Sequence, residues 1–597
     1  HFTIGINDDV LGTSLPYDED YSTEADDVTR AMFFGLGSDG TVGANKDAIK
    51  IIGQHTDLYV QGYFVYDSKK SGSSTISHLR FGPRPIKSTY LITKANFLAL
   101  HQPSLLNLFD FLKNAANDAT FLMNSPHPAD KVWDTLPARM QQQILDKNIK
   151  LYTIDAFSVA RKTGMGGRIN MIMQSAFFHL THIIPDEDSI RYLKESNEHS
   201  YGKKGQDVVD MNNRAVDAGM QGIVEVPVPE EWAHATTGGS IARVERPDFV
   251  KNVCDVMNRQ EGDDLPVSTF TGMEDGTFPS GTSKYERPTA AINVPEWIAE
   301  NCIECNQCAI VCPHATIRPV LVTEEEEEAA PEGFIVKEFR GPVKGLKFRI
   351  IIDQEDCYGC GICANVCPAP KKALVMKPLD TQISKQNLWD YAMNLPERTN
   401  PIGKTTARGT AFEPTYFEFS GACAGCGETP YINMVTRLFG DRMVIANATG
   451  CSSIYGASSP SMPYTKNLRG QGPAWANSLF EDFCEFGLGM ELANEKMRAR
   501  IVKLFNEILA ADNAPAEAKE VLKAWIENMY DADKTKELAP QIEAIIEQGI
   551  AAGCPISKEL KGLTQYLVKR SQWIIGGDGA SYDIGYGGLD HVIASGK

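Results

Sequence analysis

The cysteines carry the clearest chemical signal in this sequence, because eight of the 14 fall into two runs with the same spacing. Each run reads C-x2-C-x2-C-x3-C-P. The first run comprises Cys302, Cys305, Cys308 and Cys312, and the second comprises Cys357, Cys360, Cys363 and Cys367. This spacing is typical of bacterial ferredoxins with two [4Fe–4S] clusters, in which the fourth cysteine of each run binds the other cluster.

The repeated spacing therefore predicts two clusters that exchange their fourth ligands. One cluster would be bound by Cys302, Cys305, Cys308 and Cys367, and the other by Cys357, Cys360, Cys363 and Cys312. Zinc and disulfides are the alternatives. Zinc sites usually pair two C-x2-C units rather than three closely spaced cysteines, and disulfides form in oxidising compartments.

Three further cysteines lie in glycine-containing motifs. Cys423 and Cys426 form a C-x2-C within GACAGCGE, and Cys451 follows in ATGCSS. Glycines let the backbone approach a cofactor closely, but three thiolates are one fewer than a cluster usually takes. A metal or cluster site, a redox dithiol and structural cysteines remain alternatives here. The other three cysteines stand alone and are expected to be small buried side chains: Cys254, Cys484 and Cys554.

Two loops in the first third of the chain are suited to a phosphate. Residues 35–46 are rich in glycine and connect the predicted strand Ala31–Gly35 to a predicted helix, whose first N–H groups and dipole attract anions. Residues 67–74 follow the next predicted strand and contain two lysines and four serines. If the two strands are neighbours, a nucleotide or pyrophosphate would bind between these loops; ordinary tight turns are the alternative.

A third loop, Gly577-Asp578-Gly579, follows the predicted strand Gln572–Ile575. Its carboxylate could bind a Mg²⁺ that bridges to a diphosphate. The 18 residues after Gly579 contain no Asn to complete such a site, so a simple turn is the alternative.

The order of predicted elements indicates an α/β protein of several domains. Strands and helices alternate from about residue 30 to 225, which predicts parallel βαβ units. The other predicted strands there are Leu58–Tyr66, Thr89–Ile92, Ala119–Asn124 and Lys150–Asp155. Apolar residues at helical spacing predict helices within 491–570. Glu324–Glu328 is interpreted as a solvated loop, with a docking surface for a basic partner as the alternative.

Composition excludes several classes of protein. Of the 597 residues 43% are apolar and 23% are charged, as in globular proteins, and the net charge of −19 disfavours nucleic acid as a partner. No run of 18 apolar residues occurs, so no membrane-spanning helix is expected. We expect a cytoplasmic protein.

In combination these motifs resemble pyruvate:ferredoxin (or flavodoxin) oxidoreductase in its long single-chain form, over nearly the whole chain. Besides the two ferredoxin-type runs, the resemblance rests on GSDGTVGANK (37–46), RINMIMQ (168–174), CAGCGETPY (423–431), TGCSSIYG (449–456) and GDGASYDIGYGG (577–588). It implies oxidative decarboxylation of pyruvate to acetyl-CoA and CO2, with ferredoxin or flavodoxin as electron acceptor. It also implies three [4Fe–4S] clusters, thiamine diphosphate, Mg²⁺, coenzyme A as substrate, and a homodimer.

The resemblance assigns roles to matching residues. The coenzyme A contacts would be Asp39, Gly40, Thr41, Val42, Lys70, Asn170 and Asn212. Cys423, Cys426 and Cys451 would be three of the four ligands of the third cluster. Glu428 and Cys451 would be catalytic neighbours of thiamine diphosphate, and its diphosphate loop would comprise Gly577, Asp578, Gly579 and Ala580, with Asp578 on Mg²⁺.

The domain boundaries follow from motifs and resemblance together. Residues 1–28 are expected to be the tail of a preceding domain or a linker, 29–228 an α/β coenzyme A-binding domain and 229–290 a small irregular connection. Residues 291–395 would form an α+β ferredoxin-type domain and 396–597 an incomplete thiamine-diphosphate-binding α/β domain. Parts of the family enzyme are expected to be missing at both ends, so we expect the chain alone to be inactive.

Two rival functions remain. A sister 2-oxoacid oxidoreductase would act on another acid, such as oxobutyrate or oxalate. A non-catalytic iron–sulfur subunit would only relay electrons, and it would have no use for coenzyme A.

Replacing Lys70 by Ala tests the coenzyme A assignment. We expect the substitution to weaken binding by roughly 1–3 kcal/mol, because a charge-assisted hydrogen bond to phosphate is lost. Calorimetry would measure the affinity. Unchanged binding of coenzyme A, or tighter binding of NADPH than of coenzyme A, would contradict the assignment.

Overall fold

The computed structural model describes residues 1–18, 21–37, 39–67, 73–107, 109–228, 245–577, 579–583 and 585–596. Two predicted site residues, Lys70 and Asp578, lie outside these ranges. In the described part no helix is both long enough and apolar enough to cross a membrane.

A seven-stranded sheet dominates the first third of the chain. Its strands are β1 (Thr29–Leu36), β2 (Tyr59–Tyr66), β3 (Ser74–Gly82), β4 (Ala95–Leu100), β5 (Ala115–Asn124), β6 (Lys150–Ile154) and β7 (Val224–Glu225). They lie in the order β2-β3-β1-β4-β5-β6-β7. Neighbours among β1, β4, β5 and β6 are parallel, whereas β3 is antiparallel to both β1 and β2, and β7 is antiparallel to β6.

Helices cover both faces of this sheet. They are α1 (Thr41–His55), α2 (Ala129–Thr135), α3 (Ala138–Asp146), α4 (Ala156–Thr163), α5 (Asn170–Thr181), α6 (Asp186–Tyr201) and α7 (Gln206–Gln221). One apolar core, which includes Ile51, Phe177 and Val216, lies under α1, α5 and α7. A second core on the opposite face includes Trp133 and Met140. Two covered faces explain why the central strands are apolar almost throughout.

The predicted parallel units form the centre of this sheet, whereas both of its edges contain antiparallel strands. Residues 89–92 form no strand, whereas two strands that were not predicted, β3 and β4, follow β2 along the chain. All nine residues of β3 are buried although Ser77, His78 and Arg80 are polar, and a polar buried strand has no clear sequence signature. Although β3 lies between β1 and β2, the two phosphate-suited loops still meet, because the second leads into β3: the Gly37 N–H donates to the Ser73 carbonyl at 2.7 Å.

Two small antiparallel sheets frame the ferredoxin-type runs. One pairs β8 (Asn293–Trp297) with β12 (Leu374–Pro378), and the other comprises β9 (Ile317–Val322), β10 (Lys337–Glu338) and β11 (Lys347–Ile352). The helices of residues 245–428 are short: α8 (Asp255–Asn258), α9 (Gln307–Ile310), α10 (Glu324–Glu328), α11 (Ile362–Val366), α12 (Gln386–Met393) and α13 (Ala407–Thr410). Each run lies between a strand of one sheet and a strand of the other, so the two halves repeat the same strand–run–strand unit.

The five consecutive glutamates are a helix rather than the predicted loop. Thr323 and Glu326 form a reciprocal capping box at the start of α10, and negative charge is favourable in a first helical turn. Arg398 pairs with Glu326, and Lys347 pairs with Glu327. Two of the acidic side chains therefore have basic partners within this chain.

The last third is built on a parallel sheet in the order β14-β13-β15. Its strands are β13 (Met443–Ala448), β14 (Ala474–Ser478) and β15 (Ser571–Ile575), with helices α14 (Thr429–Phe439), α15 (Cys451–Gly456), α16 (Phe483–Ala510), α17 (Ala516–Glu527), α18 (Ala532–Ala551), α19 (Pro555–Lys561) and α20 (Leu589–Ala594). Helices α16 to α19 have an apolar core of their own, which includes Phe505, Trp525 and Ile542.

A buried ion pair holds the extended segment before β1 against the sheet. The side chains of Arg80 on β3 and Glu24 are 1% and 7% exposed, and Arg80 Nε donates to Glu24 Oε1 at 2.7 Å. Removing one partner of a buried pair leaves an uncompensated charge, which is more costly than losing an exposed pair. Arg84 and Asp27 form an exposed pair nearby, 67% and 44% exposed.

Glu24→Gln should lower the free energy of unfolding of this domain by about 3 kcal/mol, because the Arg80 guanidinium stays buried without its counter-charge. Asp27→Asn is the matched control and should lower it much less, because the Arg84–Asp27 pair is exposed to solvent. Urea denaturation followed by hydrogen exchange in β3 would measure both. Equal losses of unfolding free energy in the two variants would show that burial adds nothing to the contribution of the Arg80–Glu24 pair to stability.

Candidate functional site

Four cysteines from both runs line one small cavity in the ferredoxin-type region. They are Cys302, Cys305, Cys308 and Cys367. Apolar side chains that include Trp297, Ile350 and Leu374 form other parts of the wall. This set is the one predicted to bind the first cluster, and its fourth member comes from the second run.

The other four cysteines form a second group. Burial, followed by the neighbouring Cys312 and Cys360, raises the pKa of the Cys363 thiol to about 12. Burial also raises the pKa of Cys357 well above its usual value, and the proximity of Cys312 adds to this effect. Cys312, from the first run, therefore lies with the cysteines of the second. Bound iron would have to overcome these raised pKa values, because the thiolate is the ligand.

The two groups adjoin each other. Burial raises the pKa of Cys308 in the first group, and the largest contribution from another residue is that of Cys363 in the second group. Among the described residues no three or more His, Cys, Asp or Glu converge in a way that would hold a single metal ion. That result does not bear on a cubane, in which each of the four thiolates binds a different iron atom.

The third set of cysteines lies at one edge of the parallel sheet. Cys423 and Cys426 close a tight turn in which the Cys426 N–H donates to the Cys423 carbonyl at 3.0 Å. Cys451 begins α15 directly after β13, and Tyr455 follows one helical turn later. The Tyr455 hydroxyl donates to Glu428 Oε1 at 2.8 Å. Burial, and then the adjacent Glu428, raise the pKa of Tyr455, so the phenol keeps its proton.

The glycines of this edge allow two loops to touch. A Cβ atom on Gly450 would lie 3.0 Å from Gly577 Cα, and Gly450 has φ 149°. Because β13 and β15 are parallel neighbours, the loops that follow them meet at the same edge. Gly579 begins an irregular helical turn, and Ala580 is buried in a cluster with Phe483 and Cys484. The structure thus brings the predicted thiamine loop to the helix that carries Cys451.

The glycine-rich loop after β1 is built around Asp39. Its carboxylate accepts the N–H groups of Leu36 and Thr41, each at 2.8 Å. Gly40 has φ 91° and would place a Cβ 3.4 Å from Asn170, at the start of α5. The structure therefore brings together Asp39, Gly40, Thr41 and Asn170, four of the predicted coenzyme A contacts.

Val42 and Asn212 are the other predicted coenzyme A contacts among the described residues. Val42 lies in the first turn of α1, and Asn212 is buried on α7, where its Nδ2 donates to the Val208 carbonyl. Thr41 Oγ1 forms a hydrogen bond with His101 Nδ1 at 2.8 Å. The sequence analysis missed His101, although a polar residue directly after a buried strand, here β4, is a usable signal for a site at a sheet edge.

Comparisons with known proteins match three parts of the chain to sequence families. Residues 30–222 match the family described as pyruvate ferredoxin/flavodoxin oxidoreductase, residues 241–289 match a domain of unknown function, and residues 301–371 match a 4Fe-4S dicluster domain. Two relatives align over 100% of this chain. A pyruvate-flavodoxin oxidoreductase from Enterobacter agglomerans is 51% identical, and a pyruvate:ferredoxin oxidoreductase from Moorella thermoacetica is 49% identical.

The chain is a homologue of pyruvate:ferredoxin and pyruvate-flavodoxin oxidoreductases. The family resemblance inferred from the motifs is thereby confirmed, and so is a mixed α/β protein that contains a dicluster domain. The chain spans about half, 51%, of the length of both relatives. Among solved structures, a pyruvate oxidoreductase subunit from Thermotoga maritima matches 34% of this chain and 99% of its own length, with 18% identity and a TM-score of 0.28, which is too low to support an argument.

Serine substitutions would test the exchange of the fourth ligands. Cys367→Ser and Cys305→Ser should both lower the iron content by about four atoms per chain and remove the same electron paramagnetic resonance (EPR) signal, because both side chains line one cavity. Cys312→Ser should remove the other signal. Cys254→Ser, at a buried cysteine outside both groups, is the control and should leave iron unchanged. If Cys367→Ser and Cys312→Ser removed each other's expected signals, the exchanged assignment would be wrong.

Proposed function

We propose that this chain is the part of a pyruvate:ferredoxin (flavodoxin) oxidoreductase that binds coenzyme A, carries the iron–sulfur clusters and holds the diphosphate of thiamine diphosphate. The whole enzyme would convert pyruvate, coenzyme A and two equivalents of an oxidised one-electron carrier to acetyl-CoA, CO2, one proton and two equivalents of the reduced carrier. The observation that best supports this proposal is the contact between the Cys423–Cys426 loop and the second ferredoxin-type group. There the Gly425 backbone lies against the second run, since a Cβ atom placed on Gly425 would lie 3.7 Å from the Cβ of Cys360.

The proposal gives each cysteine set a ligand role. The two groups in residues 302–367 would each bind one [4Fe–4S] cluster, with the fourth ligands exchanged. Cys423, Cys426 and Cys451 would provide three ligands of a third cluster. When bound, thiamine diphosphate supplies an electron sink for decarboxylation, and the clusters accept electrons singly.

Residues at the edge of the parallel sheet would hold the thiamine cofactor. Gly577, Gly579 and Ala580 would contact the diphosphate, and Asp578 would bind Mg²⁺. Tyr455 donates to Glu428 and so fixes one carboxylate oxygen beside the Cys423–Cys426 loop. Such preorganised positioning is what a protein contributes to cofactor chemistry.

The loop after β1 would bind coenzyme A through Asp39–Val42 and Asn170, with Lys70 and Asn212 as further contacts. The Asp39 carboxylate already accepts the Thr41 N–H at the helix start. Its negative charge would oppose a phosphate there, so a cation such as Lys70 is needed to make the site favourable. In this proposal residues 29–228 form the coenzyme A domain, 291–395 the ferredoxin-type domain and 396–597 the thiamine domain, joined through 229–290.

A cofactor-loaded enzyme that contains this chain should reduce a viologen dye in the presence of pyruvate and coenzyme A, and form acetyl-CoA. Asn170→Ala should raise the KM for coenzyme A about five-fold, since one hydrogen bond of about 1 kcal/mol is lost. Asn117→Ala, exposed on β5 in the same domain, is the matched control and should change nothing.

The same assay separates the rival functions. Faster turnover of oxobutyrate or oxalate than of pyruvate would assign the chain to a sister 2-oxoacid enzyme. If dithionite reduced the clusters but no 2-oxoacid did, and if coenzyme A did not bind, the chain would be a relay subunit and the proposal would be overturned.

A further inference from the structure

One buried histidine joins the ferredoxin-type region to the third cysteine set. His314 follows Cys312 by two residues and is 3% exposed. Its Nε2 lies 3.0 Å from the carbonyl oxygen of Ala422, the residue before Cys423. A carbonyl oxygen can only accept, so Nε2 carries the proton and donates.

The His314 ring and backbone are held from other directions. The ring packs on that of Tyr358, the residue after Cys357, with centroids 4.3 Å apart. The His314 carbonyl accepts the Phe419 N–H at 3.0 Å. His314 is therefore fixed by a residue next to Cys357 of the second run and by two residues of the segment that leads into the Cys423–Cys426 loop, Phe419 and Ala422.

A second contact flanks the other cysteine of that loop. Gly425, the residue before Cys426, lies against Cys360. It has φ +78°, and a Cβ atom placed there would lie 3.7 Å from the Cβ of Cys360. The loop thus touches the second ferredoxin-type group at the residues that directly precede its two cysteines.

We propose that His314 is a positioning residue that fixes the Cys423–Cys426 loop against the group Cys312, Cys357, Cys360 and Cys363. Through this contact it would set the electronic coupling between the two clusters that these cysteines would bind. The exchange that the contact serves moves one electron from one cluster to the next, and no bond or proton changes. This inference rests on the proposed function, because it assigns a cluster to the third cysteine set.

The physical reason is geometric. The rate of electron transfer between buried clusters falls steeply with the distance between them, so a displacement of the Cys423–Cys426 loop by about an ångström would change the rate. Within the turn the Cys426 N–H donates to the Cys423 carbonyl. The contacts of Ala422 with His314 and of Gly425 with Cys360 fix the turn relative to the second group, as supporting hydrogen bonds orient the ligands of other metal sites.

His314→Phe would test the proposal in the cofactor-loaded enzyme, because it retains an aromatic ring against Tyr358 but removes the donor. We expect weaker spin–spin interaction between these two clusters in the EPR spectrum of the dithionite-reduced enzyme. We also expect pyruvate-driven reduction of the second-group cluster to slow roughly ten-fold, the lower end of the effect of losing a supporting contact at a metal site. The first electron transfer, to the third-set cluster, should keep its rate.

Two further variants separate positioning from general loosening. His314→Gln retains an N–H donor and should restore most of the interaction. Tyr391→Phe removes the hydrogen bond that the Tyr391 hydroxyl donates to the Glu326 carbonyl at 2.5 Å, which joins α12 to α10 and does not involve the segment 419–426. It should leave the spin–spin interaction unchanged.

Hydrogen exchange gives a readout that does not depend on activity. In His314→Phe the amides of residues 422–427 should exchange at least several-fold faster, whereas those of β9 and β11 should not change. If the Phe variant fails to load iron, His314→Met, a flexible apolar side chain, takes its place in all measurements.

The outcomes distinguish this inference from the proposed function. If wild-type enzyme shows no pyruvate-driven reduction, the function is wrong, while the dithionite-reduced spectra and the exchange data still test His314. Wild-type spin–spin interaction and exchange in both donor-free variants would overturn the inference. An equal loss in Tyr391→Phe would also overturn it, because the effect would then be general.

Discussion

The sharing of cysteines between the two runs is the constraint on which the ferredoxin-type region depends, because each group takes its fourth cysteine from the other run. Cys367 lines the cavity of the first run, and Cys312 lies with the second. Each group therefore needs both runs in place, which requires β8 to pair with β12 and β9 with β11. Local spacing along the chain and long-range strand pairing specify the same arrangement, and such agreement between levels is a mark of a well-defined fold.

A second constraint orders the two larger sheets. Parallel strands place their carboxyl ends at one edge, and helices that start there direct N–H groups to the same place. The loop after β1 meets Asn170 at one such edge, and the loops after β13 and β15 meet at the other through Gly450 and Gly577. The candidate cofactor contacts thus lie at sheet edges, to which the first turns of helices direct their backbone N–H groups.

A feature could be predicted from the sequence when the residues that determine it lie close together along the chain, and it could not when they lie far apart. The cysteine groups and the loop at Asp39 were predictable because spacing and glycines act within a few residues. The burial of β3 was not, since Arg80 is balanced by Glu24, 56 residues away. The glutamate run was wrongly predicted as a loop because Arg398 and Lys347, distant in sequence, are its partners.

The same argument explains which site residues were missed. His314 belongs to none of the sequence motifs, and Tyr455 lies in TGCSSIYG with no role assigned to it; they contact Ala422 and Glu428 respectively. These contacts nevertheless connect the sheet edge near Cys451 to the ferredoxin-type groups in two short steps. Tyr455 holds Glu428 next to the Cys423–Cys426 loop, and His314 holds that loop next to Cys312. The cysteine motifs specify which side chains could bind clusters, whereas these neutral, buried partners determine how far apart the cysteine sets lie.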